Sequence, residues 1–291
     1  MRRILPFFLI LVLGALTPQR AALAVAATGM SPGLRSQAVL VMDRDDSSII
    51  YSQKADLVAP IASITKLMTA LVILDGKQSL DEVITVTDAD RIRGRGAFSR
   101  IAIGAKIKRG DLLRLALMSS ENRAAHVLGR NYPGGYGVFV RTMNLKAQAL
   151  GMKQSHFVDP AGLSSDNVAS SRDLAKLIIA ASRSPVIREY TTTTRYAVPI
   201  GKKQLEFHNT NVLVRDPNWD IAVQKTGYIS EAGQCLVLQA RISGRDVVIV
   251  LLNSFGKYTR VADARRIRQW MERRPQGPVS PRATATLKAA T

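Results

Sequence analysis

Ser63-Ile-Thr-Lys66 puts a hydroxyl and an amine three residues apart. On a helix those two positions share a face, so the amine can take the hydroxyl proton and leave a nucleophile. An amine can do this only when neutral, which burial and a nearby cation bring about. A helix N-terminus adds backbone N–H groups and a positive dipole end. The spacing alone is not specific. A 291-residue chain with 21 serines and 13 lysines meets it about once by chance. A second instance, Ser254-Phe-Gly-Lys257, follows a strand-like run and has no suitable helix behind its serine, so it reads as the chance match.

Two further elements could complete an acyl-transfer site. Ser120-Glu-Asn122 ends an apolar helical run, where a second hydroxyl could relay a proton. The Asn122 amide there could hold Lys66 and bind a substrate carbonyl. Ser165-Asp-Asn167 is an alternative Ser-x-Asn, but it sits in a loop before a helix cap and turn chemistry accounts for it. Lys225-Thr-Gly227 occurs once, inside a predicted strand. Lys225 and Gly227 share a face by the period of two. The glycine would leave room for an extended peptide along the strand edge. Lys225 and Thr226 would then meet a substrate carboxylate, and Lys225 would be the cation that keeps Lys66 neutral.

These residues need a frame. Gln37–Asp43 and Ser48–Ser52 read as a hairpin around Asp45-Asp-Ser47. Lys66–Leu74 is apolar nearly all round, which predicts a buried helix. Residues 80–200 read mostly as helices and loops. One helix covers Leu112–Met118 with Asp111 as cap, one covers Val138–Leu150 up to Gly151, and one covers Leu174–Ala181 behind a Ser170-Ser-Arg-Asp173 cap. Asp220–Tyr228, Gln234–Ile242 and Asp246–Asn253 read as three strands on short turns, hence antiparallel. Tyr258–Arg273 is a basic amphipathic helix. The order predicts an α+β fold: a five-stranded antiparallel sheet packed with helices, plus an all-helical lobe and a cleft between.

The three motifs, in this order, together resemble the penicillin-binding and β-lactamase superfamily. Within it the chain is most similar to low-molecular-mass D-alanyl-D-alanine peptidases, over about residues 35–270. The resemblance is carried by Ala62–Ala70, Met118-Ser-Ser-Glu-Asn-Arg-Ala-Ala125, Asp159-Pro-Ala-Gly-Leu163 and Lys225-Thr-Gly-Tyr-Ile-Ser-Glu-Ala-Gly233. It implies a β-lactamase/transpeptidase-like fold and a Ser63 acyl-enzyme with the penultimate D-alanine of a peptidoglycan peptide. Lys66 is then the base, Ser120 and Asn122 assist, and Lys225, Thr226, Gly227 and Tyr228 bind substrate. The oxyanion hole is the backbone N–H of Ser63 and of Tyr228, and the Tyr228 side chain tunes access. The Glu-x-x-Leu-Asn loop of class A β-lactamases is missing, so β-lactams are expected to inhibit rather than turn over. The basic tail close behind the last helix, the Ser-Glu-Asn motif and Lys-Thr-Gly-Tyr resemble the small endopeptidases that cut cross-links. A carboxypeptidase trimming pentapeptides is the alternative, and a non-catalytic wall-binding protein the remote one.

The ends and the composition fit an envelope protein. Arg2 and Arg3 precede an apolar run from Ile4 to Leu16, and Ala22-Leu-Ala24 or Ala24-Val-Ala26 suits signal peptidase. A signal peptide over 1–26, a peptidase domain over 35–273 and a disordered basic tail over 274–291 follow. Export predicts the periplasm. The sheet lobe would comprise about 35–60 and 200–273, the helical lobe about 67–200. The net charge of +19 raises nucleic acid as a partner, which export argues against. Association with anionic envelope surfaces stands beside plain solvation of the arginines. His126, His156 and His208 are scattered without metal-ligand spacing, so neither metal nor cofactor is expected. Cys235, the single cysteine, lies in an apolar run and reads as a buried inert thiol.

Overall fold

The computed structural model describes residues 31–94, 98–200 and 203–273. The signal peptide expected over 1–26 and the tail over 274–291 lie outside the described residues. In chain order the elements are β1 (Ser36–Asp43), β2 (Ile49–Gln53), β3 (Ala59–Pro60), a 3₁₀ turn (Ala62–Thr65) and α1 (Lys66–Asp75). There follow β4 (Val83–Thr85), β5 (Lys106–Lys108), α2 (Arg109–Met118), α3 (Asn122–Arg130) and α4 (Gly135–Ala149). Next come β6 (Val168–Ala169), α5 (Ser171–Ser182), α6 (Pro185–Thr192), β7 (Arg195–Ile200) and β8 (Lys203–His208). The chain then runs through β9 (Asp220–Ile229), β10 (Gly233–Ile242), β11 (Arg245–Ser254) and α7 (Thr259–Glu272).

The main sheet has five strands in the order β2-β1-β11-β10-β9, every pair antiparallel. The first hairpin therefore joins the last one, with Leu40 opposite Val250. Both faces of the sheet are covered. Leu40, Val237, Val248, Val250 and Leu252 belong to the core shared with α1 and α5. Val39, Val41, Leu236, Leu238, Ile249 and Leu251 pack on the other side with Ala264, Ile267 and Met271 of α7. Two buried faces explain why the strands read as unbroken apolar runs rather than as alternation. On α7, Arg268 pairs with Glu272 at the surface, while Arg266 reaches the buried Asp263.

Helix α1 is buried from Lys66 to Ile73, as its all-round apolar sequence requires. It lies among α2, α3, α4 and α5. The strand and α7 boundaries agree with the sequence reading to within a residue or two. Other boundaries differ. Helix α2 starts at Arg109 with Lys108 at its cap, so Asp111 is not the cap. Asp111 sits in the first turn, where a carboxylate favours the dipole, and accepts from Tyr196 Oη at 2.7 Å. Helix α4 starts three residues before Val138, after Gly134 at φ 83°. The β7–β8 hairpin was not anticipated. Pro199 lies within β7, and a proline argues against a strand unless that strand is an edge.

The outer face of the sheet depends on α7, so that contact can be tested. Ile267 is fully buried against it. Ile267→Ala is expected to lower stability by about 2–5 kcal/mol. Urea unfolding followed by far-UV circular dichroism measures this, and a change below about 1 kcal/mol would contradict the packing.

Candidate active site

The chain leaves β3 and turns sharply at Ala62, which has φ 48°. Ser63 follows within the 3₁₀ turn, three residues before the start of α1 rather than inside it. In a 3₁₀ turn residues i and i+3 eclipse, which sets the Ser63 hydroxyl over Lys66. Lys66 Nζ lies 2.7 Å from Ser63 Oγ, 2.8 Å from Asn122 Oδ1 and 2.5 Å from the Ala161 carbonyl oxygen. The last two partners only accept. A neutral amine has two hydrogens and one lone pair. With Asn122 and Ala161 taking the hydrogens, the lone pair is left for the Ser63 hydroxyl.

Burial pushes the Lys66 ammonium down to about 7, while the Asp159 and Glu121 carboxylates oppose that fall. Burial, one of the two causes the sequence reading named, is thus the leading one, and Lys225 is the cation that reading set beside it. Lys225 is itself fully buried and held well below its ordinary range, first by burial and then by Lys66 and Arg260. Its amine donates to Ser120 Oγ at 2.9 Å and to the Thr226 carbonyl oxygen at 2.9 Å.

Ser120 lies between α2 and α3 with φ 60°, a strained conformation for a residue with a side chain. Its neighbours hold it there. Ser119 Oγ donates back to the Leu115 carbonyl at 2.7 Å, and the Glu121 carboxylate caps α3 by accepting from Ala124 N at 2.7 Å. Asn122 is the first residue of α3, directly after that cap.

Strand β9 is the last strand of the sheet and lies against the Ile61–Ser63 turn. A Cβ on Gly227 would stand 2.8 Å from the Ile61 carbonyl oxygen and 3.3 Å from Ser63 N. The sequence reading kept that space for substrate. The Ile61–Ser63 turn itself fills it, so the glycine permits β9 and the turn to touch. Thr226 is nearly buried and its Oγ1 lies 2.6 Å from Thr210 Oγ1. Tyr228 is 60% exposed, so the residue after the glycine borders solvent.

Three contributors were missed at the sequence level. The Asp159–Leu163 loop carries the Ala161 carbonyl. The Asp159 carboxylate accepts from the backbone N–H of Ala161, Gly162, Leu163 and Ser164 and from Asn167 Nδ2. Thr69 Oγ1 of α1 donates to the Pro160 carbonyl at 2.7 Å. Gly162 crosses Ala62 so closely that a Cβ would be 2.0 Å from its carbonyl oxygen. The Asp-Pro-x-Gly turn signal was visible, but nothing in a residue type announces a useful backbone carbonyl. Arg260 of α7 is the second, its Nη1 donating to the Gly227 carbonyl at 2.7 Å. Thr210, in the link from β8 to β9, is the third.

The set-aside motifs have other duties. Ser254 is buried and bonded to Ser36 Oγ at 2.6 Å, which in turn donates to Asp263. Asn167 accepts from Val158 N and Asp159 N and so clasps the carbonyl-bearing loop. Cys235 is buried, and burial pushes its thiol up to about 11. An open cavity of about 470 Å³ is lined by α4 and the Met152–His156 loop and includes none of the motif residues.

A serine on a tight turn, a buried lysine 2.7 Å from its hydroxyl, and a second serine–lysine pair beside it define an acyl-transferring serine enzyme. Residues 25–256 match the family described as D-alanyl-D-alanine carboxypeptidase, and the chain belongs to that family of serine peptidases. It is 48% identical over 241 residues to a D-alanyl-D-alanine endopeptidase of Pseudomonas aeruginosa, covering 82% of this chain and 78% of that one. It is 45% identical over 273 residues to a D-alanyl-D-alanine endopeptidase of Escherichia coli, covering 93% and 87%. The crystal structure of a D-alanyl-D-alanine carboxypeptidase from Mycobacterium tuberculosis superposes with a TM-score of 0.77 at 26% identity, over 87% of this chain and 97% of that one. The α+β fold and the family resemblance read from the sequence are thereby established.

A base that ionises near 7 sets a pH dependence. Lys66 must be neutral to accept a proton, so acylation by a penicillin should rise as pH increases through about 7. Each pH unit below that should cost roughly tenfold. Stopped-flow acylation between pH 5 and 8 measures it, and a flat profile would rule Lys66 out as the base.

Proposed function

We propose that the chain is an exported D-alanyl-D-alanine endopeptidase that opens peptidoglycan cross-links through a Ser63 acyl-enzyme. One observation carries this reading: Lys66 is buried with two acceptors on its hydrogens and Ser63 at 2.7 Å on its remaining side. Lys66 takes the Ser63 proton as Oγ attacks the D-alanyl carbonyl. The oxygen that becomes negative is received by the backbone N–H of Ser63 and of Tyr228. The proton on Lys66 passes by way of the Ser120 hydroxyl, which Lys225 holds at 2.9 Å, to the leaving amine, so Lys66 is neutral again. Water then attacks the ester with Lys66 again as base.

Substrate lies along β9, the free edge of the sheet, as an added strand. Lys225 and Thr226 take its carboxylate, Asn122 a carbonyl, and Tyr228 its backbone, while Gly227 lets the Ser63 turn close on β9. Two relatives that match over most of both chains are named endopeptidases, which favours cross-link cleavage. The family's description favours carboxypeptidase activity as the second reading. The sheet part, about 35–60 and 200–273, and the helical part, about 67–200, act as two walls of the site. The signal over 1–26 delivers the enzyme to the periplasm, and the +19 charge draws it to anionic envelope surfaces at low salt.

Labelling by a fluorescent penicillin tests the nucleophile. Wild type should retain the label through denaturation and Ser63→Ala should not. Muropeptide analysis separates the two activities. Loss of cross-linked dimers supports the endopeptidase, whereas loss of terminal D-alanine from pentapeptides without loss of dimers supports the carboxypeptidase. Steady β-lactam hydrolysis at many turnovers per second would contradict the expectation that penicillins trap Ser63.

A further inference from the structure

We propose that Thr210 is a positioning residue of this site: its hydroxyl donates to Thr226 and so aims the Thr226 hydrogen at the anionic end of the substrate. The inference deepens the reading of Ser63 as the acylated nucleophile and rests on it.

The argument begins with hydrogen counting. Thr210 Oγ1 and Thr226 Oγ1 are 2.6 Å apart, close enough that one hydroxyl must donate to the other. Each has a single hydrogen. If Thr226 donated, the hydroxyl in the Lys-Thr-Gly strand would have nothing left to offer. If Thr210 donates, the Thr226 hydrogen is released toward the site. An anion beside Thr226 selects the second arrangement, because a charge-assisted hydrogen bond is the stronger one.

Lys225 has duties of its own beside that hydroxyl. Its amine already donates to Ser120 Oγ and to the Thr226 carbonyl. An anion at this strand is therefore shared between the hydrogen Lys225 has left and the Thr226 hydroxyl, and the direction of that O–H bond matters.

The placement of Thr210 is fixed on three sides. Its N–H donates to the Met118 carbonyl at 3.0 Å, two residues before Ser120. Before it, Asn209 is buried and donates to the Thr191 and Thr193 carbonyls. Asn209 Oδ1 also accepts from Gln224 Nε2, next to Lys225. After it, Asn211 Oδ1 caps the following turn by accepting from Leu213 N. Thr210 itself is exposed, in a segment otherwise tied down. An exposed threonine with a rigid backbone, in contact with both the end of α2 and β9, is built to hold a hydroxyl in one direction.

The test compares a penicillin with its carboxylate methyl ester on wild type, Thr210→Val and Thr210→Ser. Valine keeps the shape and removes the donor. The second-order acylation rate constant for the acid should fall roughly tenfold in Thr210→Val, about the factor of one ordinary hydrogen bond. For the ester it should change by less than about twofold, and Thr210→Ser should restore the acid rate. Thermal melting of each variant should stay within a few degrees of wild type. An unchanged acid rate in Thr210→Val overturns the proposal. So does an equal loss for acid and ester, which would mean a structural role, and so does failure of serine to rescue. Absence of acylation in wild type itself would take down the Ser63 reading and this one with it, and is distinguished by appearing before any substitution.

Discussion

The burial of one amine, that of Lys66, organises this molecule. Lys66 must be buried to be neutral, and a buried amine must have its hydrogens satisfied. The Ala161 carbonyl and Asn122 Oδ1 meet that demand from opposite directions, one from a loop and one from a helix start. Both are far from Lys66 in sequence, so loop 159–163 and the α2–α3 junction must be held rigidly. The five donors collected by Asp159 and the strained Ser120 between two caps serve that one requirement.

The second lysine raises the stakes. Lys225 is also buried, and its neighbours include Lys66 and Arg260. Two ammonium groups in a dry site repel strongly, so the site favours states in which the charge is reduced. A proton taken up by either amine would therefore meet groups already arranged to resist it.

Much of this was legible in the residues. The three motifs, their order and the strands from Asp220 to Ser254 could be read because hydroxyls, amines and apolar runs have recognisable spacing. Backbone contributions could not. The Ala161 carbonyl has no signature beyond the turn that carries it. Thr210 is one threonine in a polar stretch and gains meaning only beside Thr226. Pro199 hid β7. Gly227 was read correctly as a close approach but with the wrong visitor, since the visitor is the turn at Ile61. Spacing says that a glycine makes room and says nothing of which chain comes in.

The place of β1 in the sheet governs when the molecule becomes an enzyme. It pairs with β11, and Ser36 meets Ser254 across 218 residues of chain. Contacts of such separation form late, because loop-closure entropy must be overcome first. The turn at Ile61–Thr65 likewise packs against Gly227 of β9, far along the chain. A nascent chain emerging N-terminus first therefore holds Ser63 long before it holds a working site. Hydrolytic power is withheld until almost the whole chain has been made and folded, a built-in delay suited to an enzyme able to cut the wall that surrounds its cell.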